Sequence, residues 1–511
     1  MRVLMALALV MASPAAAQSI EEKSIDELGA MMASGEASSA AITTRYLERI
    51  AAMNRQGPTL RAVIAINPDA KAEAAASDAR RTGGTSLGPL DGVPILIKDN
   101  IETLDNATTA GSLALKDNFT RRDAPVVARL RAAGAVILGK ANLSEWANIR
   151  STRSMSGWSG VGGLVRNPYA LDRSVCGSSS GSGAGVAASF AAAAVGSETD
   201  GSVVCPSSMT GLVGLKPTIG LVSRTHIVPI SHSQDTAGPM ARSVKDLAIL
   251  FTAMVGADPA DATTIDADIF KRDFAAGLSA GALKGVRVGV IRPEMSPDLT
   301  ATYNSALAQL TAASALLIDV TPPKIDMGES ELTVLLTELK VDLDAYLATT
   351  PATVTARTLD QLIAFDTTNA ETEMPYFGQE LFEKAAKTKG LADPDYLAAR
   401  AKSLGLAKGA LDAMMTAAGA TILVEPTYGA AWLSDPVHGD QFTGPSASEL
   451  PAISGYPHLT VPMGTVRGLP VGLSFIGPAH SDATLLNAGY AYEQQAKARV
   501  KPGYAARVEI R

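Results

Sequence analysis

The segment from Val175 to Pro217 restricts the fold and the chemistry of this chain more than any other part of its sequence. It is rich in glycine, alanine and serine, and its serines lie on glycine-rich loops with no histidine between them. Glycine lets backbone segments approach one another closely, so this stretch can pack tightly. A serine nucleophile needs a base to take its proton, and here that base must be something other than a nearby histidine.

The best candidate base lies upstream, at Lys98. It ends the run Gly92 to Ile97, whose apolar and β-branched residues predict a buried strand. A free lysine titrates near about 10.4, and each unit of depression requires about 1.36 kcal/mol from the surroundings. Burial disfavours the ammonium form, so apolar walls and hydroxyl partners can leave Lys98 neutral. The alternative is a strand-end lysine whose ammonium group reaches solvent.

Four sequence blocks follow one another in a fixed order, and together they resemble the amidase signature family, most closely its peptide amidases. The resemblance continues to residues 233–240 and 468–475, so it covers most of the chain. It implies an α/β fold with a large mixed β-sheet that is covered by helices on both faces. The blocks are residues 92–98 (GVPILIK), 176–183 (CGSSSGSG), 198–202 (ETDGS) and 214–218 (GLKPT).

The resemblance also assigns roles to individual residues. Ser202 is expected to be the nucleophile, Ser178 a bridging serine that follows a cis peptide bond after Gly177, and Lys98 the terminal base. Ser179 is expected to be a supporting hydroxyl near the lysine. This is a variant of the nucleophile, base and orienting group that usually includes a histidine.

The implied reaction is hydrolysis of a linear carboxamide to an acid and ammonia. Ser202 passes its proton through Ser178 to Lys98 and attacks the amide carbon. The proton then returns to the leaving amine, and water repeats the path to release the acid. The resemblance implies no metal and no organic cofactor, and a C-terminal peptide amide is the expected substrate. Charge on the carbonyl oxygen is expected to be met by the backbone N–H groups of Thr199, Asp200, Gly201 and Ser202.

Three positions depart from the commonest family pattern. Cys176 and Asp200 stand where glycine is usual, and Val204 replaces a frequent arginine. The change at Asp200 matters little if only its backbone N–H is used. Because Val204 carries no charge, recognition of an anionic substrate by that arginine cannot be carried over to this chain.

Two other functions are compatible with parts of this sequence. Residues 177–181 match G-x-S-x-G, which makes Ser179 the nucleophile of an α/β-type esterase. That motif requires a strand before it and Asp and His partners after it, and residues 167–173 do not predict a strand. The other alternative is a binding protein of the same fold that lacks activity. Zinc hydrolysis is not indicated, because the five histidines form no tight ligand motif.

The first residues of the chain have the pattern of a secretory signal peptide. A basic tip at Arg2 precedes an apolar core, and the A-x-A site at Ala15 to Ala17 predicts cleavage after Ala17. We therefore expect a signal peptide over residues 1–17 and a periplasmic or secreted protein. The amidotransferase subunits of the same family fit poorly with export. No later apolar run is long enough to predict a membrane span.

The remaining residues, 18–511, are expected to form a single amidase signature domain. Alternating helical and strand patterns indicate α/β layers, and residues 182–195 predict a buried helix of small residues. Longer and more polar helices between about 293 and 440 are expected to shape the substrate entrance. The net charge of −7 and the absence of a Lys/Arg run disfavour a nucleic-acid partner, so a small-molecule or peptide amide is the expected ligand.

The chain has only two cysteines, Cys176 and Cys205. They lie two residues before Ser178 and three residues after Ser202, so they approach each other if the two serines do. Export to an oxidising compartment favours a disulfide where the geometry allows one. The alternative is a pair of buried thiols that act as small apolar fillers.

Overall fold

The computed structural model of the protein describes residues 19–509. The predicted signal peptide, residues 1–17, lies outside this range. Across residues 19–509, no helix has the length and apolar character needed to cross a membrane.

A single large β-sheet organises the described chain. Its strands are β1 (Val63–Ile66), β2 (Pro94–Lys98), β3 (Val136–Ala141), β4 (Ala193–Glu198), β5 (Val213–Lys216), β6 (Thr236–Ala241), β7 (Arg287–Ile291), β8 (Leu316–Val320), β9 (Leu423–Pro426), β10 (His458–Val466) and β11 (Leu469–Ile476).

The sheet is mixed, with the order β1-β3-β2-β4-β6-β5-β10-β11-β9-β7-β8. Strand β2 runs parallel to β3 and β4, and β7 runs parallel to β8 and β9. The other neighbouring pairs are antiparallel. Every residue of β2, β3, β4, β5, β6 and β11 is buried. Successive side chains of a strand point to opposite faces, so both faces of the central sheet are covered, and the expected fold class is confirmed.

Helices supply that cover. They are α1 (Ile25–Ser34), α2 (Ser39–Met53), α3 (Ala70–Thr82), α4 (Pro125–Ala132), α5 (Ser180–Ala187), α6 (Val204–Met209), α7 (Val244–Met254), α8 (Ala267–Phe270), α9 (Pro297–Ala312), α10 (Gly328–Ala348), α11 (Leu359–Thr368), α12 (Ala370–Glu373), α13 (Glu380–Ala385), α14 (Pro394–Ala418), α15 (Glu449–Ser454) and α16 (Asp482–Ala496), with short 3-10 helices at Leu113–Leu115, Glu145–Asn148 and Ala262–Thr264.

Local sequence signals explain where several helices begin and end. Ser24 and Glu27 form a capping box at the start of α1, and the hydroxyl of Ser38 accepts from the N–H of Ala41 at the start of α2. Helix α14 ends at Gly419, which adopts the left-handed conformation that glycine reaches without steric cost.

The prediction of a helix over residues 182–195 is wrong for the second half of that range. Helix α5 ends at Ala187, Ser189 has a φ of 56°, and the chain continues as strand β4 from Ala193. An alanine-rich run has no apolar periodicity that separates a buried helix from a buried strand. Pairing of β4 with β2 on one side and β6 on the other decides the conformation of this segment.

Residues 293–440 contain more than the polar helices expected from the sequence. They also supply β8 and β9 to the sheet. Helices α10, α11 and α13 form an apolar cluster of their own, in which Leu343, Leu362 and Phe382 are buried together with Trp146. This cluster lies apart from the main core, so these helices are a separate layer beside the sheet.

Candidate active site

The topology of the sheet brings the main candidate residues together. Strands β2 and β4 are parallel neighbours, with Ile97 opposite Val195, so their carboxyl ends lie at the same edge of the sheet. Lys98 is the last residue of β2, and Ser202 follows β4 by four residues. Sequence blocks about a hundred residues apart therefore meet at one place.

Lys98 is fully buried and contacts two serines. Its Nζ lies 2.7 Å from Oγ of Ser178, 2.9 Å from Oγ of Ser197 and 3.0 Å from the carbonyl oxygen of Ser197. Burial lowers the pKa of Lys98 to about 7, although the carboxylates of Asp235 and Glu198 favour its charged form. A large fraction of this lysine is therefore neutral near pH 7 and able to accept a proton.

Ser178 follows a cis peptide bond, which joins it to Gly177. Its side chain is completely buried, and its carbonyl oxygen accepts from the N–H of Ser144 at 3.0 Å. Gly177 has no room for a side chain, since a Cβ there would lie 2.2 Å from Oγ of Ser144. Close packing thus fixes the backbone that directs Ser178 toward Lys98.

The turn that carries Ser202 is held by a buried carboxylate. Oε2 of Glu198 accepts from the N–H groups of Val203 and Val204 at 2.7 and 2.9 Å. Gly201 within this turn has a φ of 77°, a left-handed conformation that glycine adopts without steric cost. Ser202 retains 7% of its accessible surface, whereas Lys98 and Ser178 retain none. Of these three residues, Ser202 is the one that a substrate can reach.

A second buried carboxylate holds the start of the same turn. Oδ1 of Asp235 accepts from the hydroxyl of Thr199 at 2.5 Å, and its Oδ2 accepts from the N–H groups of Ile230 and Ser231. Burial raises the pKa of Asp235 to about 6. Thr199, Asp200 and Gly201 therefore form an ordered turn between Glu198 and Ser202, where their backbone N–H groups were expected to act.

Ser179 has a different environment from Ser202. Its hydroxyl is fully buried, donates to the carbonyl oxygen of Ser197 at 3.1 Å and accepts from the N–H of Ser197 at 3.2 Å. Its backbone N–H donates to the carbonyl oxygen of Ser202 at 3.1 Å. Ser179 thus fastens α5 to β4 and to the Ser202 turn, and none of the hydrogen bonds described for its hydroxyl involves a histidine.

The two cysteines are joined in a disulfide. The Cα atoms of Cys176 and Cys205 lie 5.9 Å apart, within the range that a disulfide requires. The bond links the loop before Ser178 to helix α6, which follows Ser202. The two candidate catalytic serines are therefore held on loops that share a covalent link.

Ser197 and Asn100 are site residues that the sequence did not reveal. Ser197 offers Lys98 both its hydroxyl and its carbonyl oxygen, and Asn100 donates to Oγ of Ser197 at 2.8 Å. Their only signal in the sequence was their closeness to other candidate residues. Asn100 lies two residues after Lys98, and Ser197 is next to Glu198. Serine and asparagine are common at strand ends, so residue type alone did not single them out.

One group in residues 19–509 brings three metal-ligand types close together. His232, Glu338 and Asp342 place candidate ligand atoms within 4.8 Å of one another. Glu338 is already occupied, since it accepts from the hydroxyls of Ser231, Ser233 and Tyr396. His232 bonds to Asp342 through Nδ1 at 2.9 Å. These hydrogen bonds explain the cluster without a metal ion.

Sequence comparison identifies the family of this chain. The chain matches the amidase family over residues 41–486. It is 36% identical over 501 residues to a probable amidase of Arabidopsis thaliana, a match that covers 96% of this chain and 93% of the relative.

Solved structures are also similar. The native peptide amidase from Stenotrophomonas maltophilia is 48% identical, with a TM-score of 0.89, and the match covers 95% of this chain and 99% of that one. A peptide amidase in complex with the competitive inhibitor chymostatin is 48% identical, with a TM-score of 0.91 and coverage of 94% and 99%. This chain therefore belongs to the amidase family and is an amide-hydrolysing enzyme with the amidase signature fold.

Proposed function

We propose that the protein is a serine amidohydrolase that cleaves a linear carboxamide to an acid and ammonia through Ser202, Ser178 and Lys98. The observation that carries this proposal is the buried Nζ of Lys98, 2.7 Å from the hydroxyl of Ser178. An amine with a pKa of about 7 is matched to proton transfer at neutral pH. Ser202, on the adjoining turn, retains 7% of its accessible surface and supplies the hydroxyl that attacks.

The proton path follows from the hydrogen-bond capacity of each group. Neutral Lys98 has a lone pair that accepts the hydroxyl proton of Ser178, which in turn accepts the proton of Ser202 as its oxygen attacks the carbonyl carbon. The lysine is then an ammonium that returns the proton through Ser178 to the leaving nitrogen. Ammonia departs, and water repeats the sequence to release the acid and free Ser202.

The developing oxyanion is met by backbone donors. The N–H groups of Thr199, Asp200 and Gly201 lie in the turn that Glu198 and Asp235 hold rigid. Preorganised donors of this kind contribute roughly 10²- to 10³-fold each to turnover, because they need no reorganisation as charge forms. Only the backbone of Asp200 takes part, so its departure from glycine is compatible with this role.

A C-terminal peptide amide is the proposed substrate, and the similarity to two solved structures of peptide amidase supports it. The pattern of residues 1–17 supports export, so we place the enzyme in the periplasm or outside the cell. We propose that the mature chain forms one domain and that residues 293–440 shape the entrance to the site.

Ammonia release tests this function. The purified protein is offered N-acetylated dipeptide amides, simple alkyl and aryl amides, and the matching methyl esters. We expect ammonia from the peptide amides, and none from a Ser202→Ala variant of unchanged melting temperature. Hydrolysis of the esters alone, retained in Ser202→Ala and lost in Ser179→Ala, would contradict the proposal.

A further inference from the structure

Three aromatic side chains lie together on the loop of residues 427–448, which joins β9 to α15. They are Tyr428, Phe442 and Trp432, and we call them the aromatic wall. The ring centroids of Tyr428 and Phe442 are 6.0 Å apart, and those of Trp432 and Phe442 are also 6.0 Å apart. These distances are typical of interacting aromatic rings, so the three side chains form one continuous surface.

One end of the aromatic wall touches the turn that carries Ser202. A Cβ added to Gly201 would lie 2.3 Å from Oη of Tyr428, so the tyrosine hydroxyl is packed directly against this glycine. The same hydroxyl forms a 2.6 Å hydrogen bond with Oγ of Ser448. Tyr428 therefore has a fixed position beside the backbone donors next to Ser202.

Hydrogen bonds connect the other end of the aromatic wall, at Trp432, to the loop that precedes Ser178. Nε1 of Trp432 donates to Asp440 at 2.9 Å, and Asp440 also accepts from the hydroxyl of Ser156 at 2.5 Å. Ser156 accepts in turn from the side-chain amide of Asn148, which lies beside Gly177. Gly177 immediately precedes the bridging serine, so Asp440, Ser156 and Asn148 connect the wall to the loop of Ser178.

The wall also rests on the disulfide. Cys176 and Cys205 belong to one apolar cluster, against which Tyr428 and Trp432 pack. Phe442 is further from this support and has 47% of its surface exposed. A large apolar ring that remains exposed between fixed neighbours offers contact area to a ligand.

We propose that the aromatic wall is the subsite for the side chain next to the scissile amide, and that it takes an aromatic or large apolar side chain. This inference rests on the proposed function. A carbonyl carbon held at Ser202, with its oxygen at the turn of residues 199–201, leaves the adjoining side chain close to Gly201. Tyr428 covers that glycine, and Phe442 continues the surface outward. An aromatic substrate ring can stack on these side chains, whereas a methyl group contacts little of them.

Turnover of two matched substrates tests the subsite. We would measure kcat/KM for N-acetyl-phenylalanine amide and N-acetyl-alanine amide with the wild type and with Phe442→Ala, Phe442→Leu and Val437→Ala. Val437 is a control because it is an exposed apolar residue of the same loop outside the wall. We expect Phe442→Ala to lower kcat/KM about tenfold for the phenylalanine amide and less than about twofold for the alanine amide. Phe442→Leu should fall between, and Val437→Ala should match the wild type.

A binding measurement separates failure of the subsite from failure of the proposed function. Calorimetric titration of the two amides into Ser202→Ala, and into Ser202→Ala combined with Phe442→Ala, requires no turnover. Weaker binding of the phenylalanine amide alone in the double variant supports the subsite even if the wild type hydrolyses neither amide. An unchanged preference between the two amides after Phe442→Ala, in turnover or in binding, would overturn the inference while leaving amide hydrolysis intact.

Discussion

The amine nitrogen of Lys98 lies 2.7 Å from the hydroxyl oxygen of Ser178, and both side chains are completely buried. Neither side chain is exposed to bulk solvent, and the hydrogen-bonded pair can exchange a proton directly. Because burial lowers the pKa of Lys98 to about 7, the lysine can take the proton of Ser178 when Ser178 takes one from Ser202, and it can return that proton later.

Removal of the side chain of Lys98, Ser178 or Ser202, the three members of the proposed proton relay, should nearly abolish catalysis without unfolding the protein. We expect Lys98→Ala, Ser178→Ala and Ser202→Ala each to lower kcat by roughly 10³-fold or more, and the Lys98→Ala/Ser178→Ala pair to cost little beyond the single changes. Ser179→Ala should cost only about tenfold, because its hydroxyl supports the backbone of Ser197. Ammonia assays with circular dichroism as a folding control measure this, and fully additive losses would contradict a single relay.

The pH dependence of kcat/KM should report the pKa of Lys98. Lys98 acts in its neutral form, so kcat/KM should fall about tenfold per unit below pH 7 and reach a plateau above it. Asp235, with a pKa of about 6, and Glu198 are the carboxyl groups that favour the charged lysine. Replacement of Asp235 by Asn should therefore move the acid limb to lower pH. An acid limb centred near the ordinary lysine value of about 10.4 would show that the pKa of Lys98 is not lowered in the folded enzyme.

The disulfide should stabilise the fold. Cys176 and Cys205 are 29 residues apart in sequence. In the chain-entropy model, closing a loop of that length raises the free energy of the unfolded chain by about 3.6 kcal/mol. We expect Cys176→Ser/Cys205→Ser to unfold at lower denaturant concentration than the wild type. Mass spectrometry of the unreduced protein provides the direct control, since two alkylatable thiols would show that the bond is absent in solution.

Chelators should leave the activity unchanged. The base in the proposed mechanism is an amine, and the cluster of His232, Glu338 and Asp342 is explained by its own hydrogen bonds. We therefore expect kcat/KM to stay within about twofold of the wild-type value after dialysis against EDTA, because an amine base needs no bound metal. Loss of activity with EDTA that added zinc restores would overturn the metal-free mechanism.

The sequence was sufficient to predict the residues that the backbone brings together directly. Lys98 ends β2, Ser202 lies in the turn after β4, and Ser178 lies in the loop just before α5. The order of their blocks resembles the amidase signature family, and that resemblance assigned them to one site. The aromatic wall was not predictable in the same way. Tyr428 follows β9, the third strand from one edge of the sheet, and it packs on Gly201 although more than 200 residues separate the two in sequence. No local pattern in residues 427–448 encodes that contact.

The same limit explains the error over residues 182–195. Alanine and glycine fit a buried helix and a buried strand equally well, and the positive φ at Ser189 gives no signal in residue type. The neighbours β2 and β6 impose the strand. Small apolar residues alone carried no signal for one conformation, so the tertiary structure decided it.

The most direct test of the proposed relay is the site of the acyl-enzyme. The protein is quenched in acid during turnover of N-acetyl-phenylalanine amide and of its methyl ester, digested, and mapped by tandem mass spectrometry, with Ser202→Ala as the control. We expect the acyl group on Ser202 and on no residue in the Ser202→Ala protein. An acyl group on Ser179, present in both proteins, would contradict the assignment of Ser202 as the nucleophile.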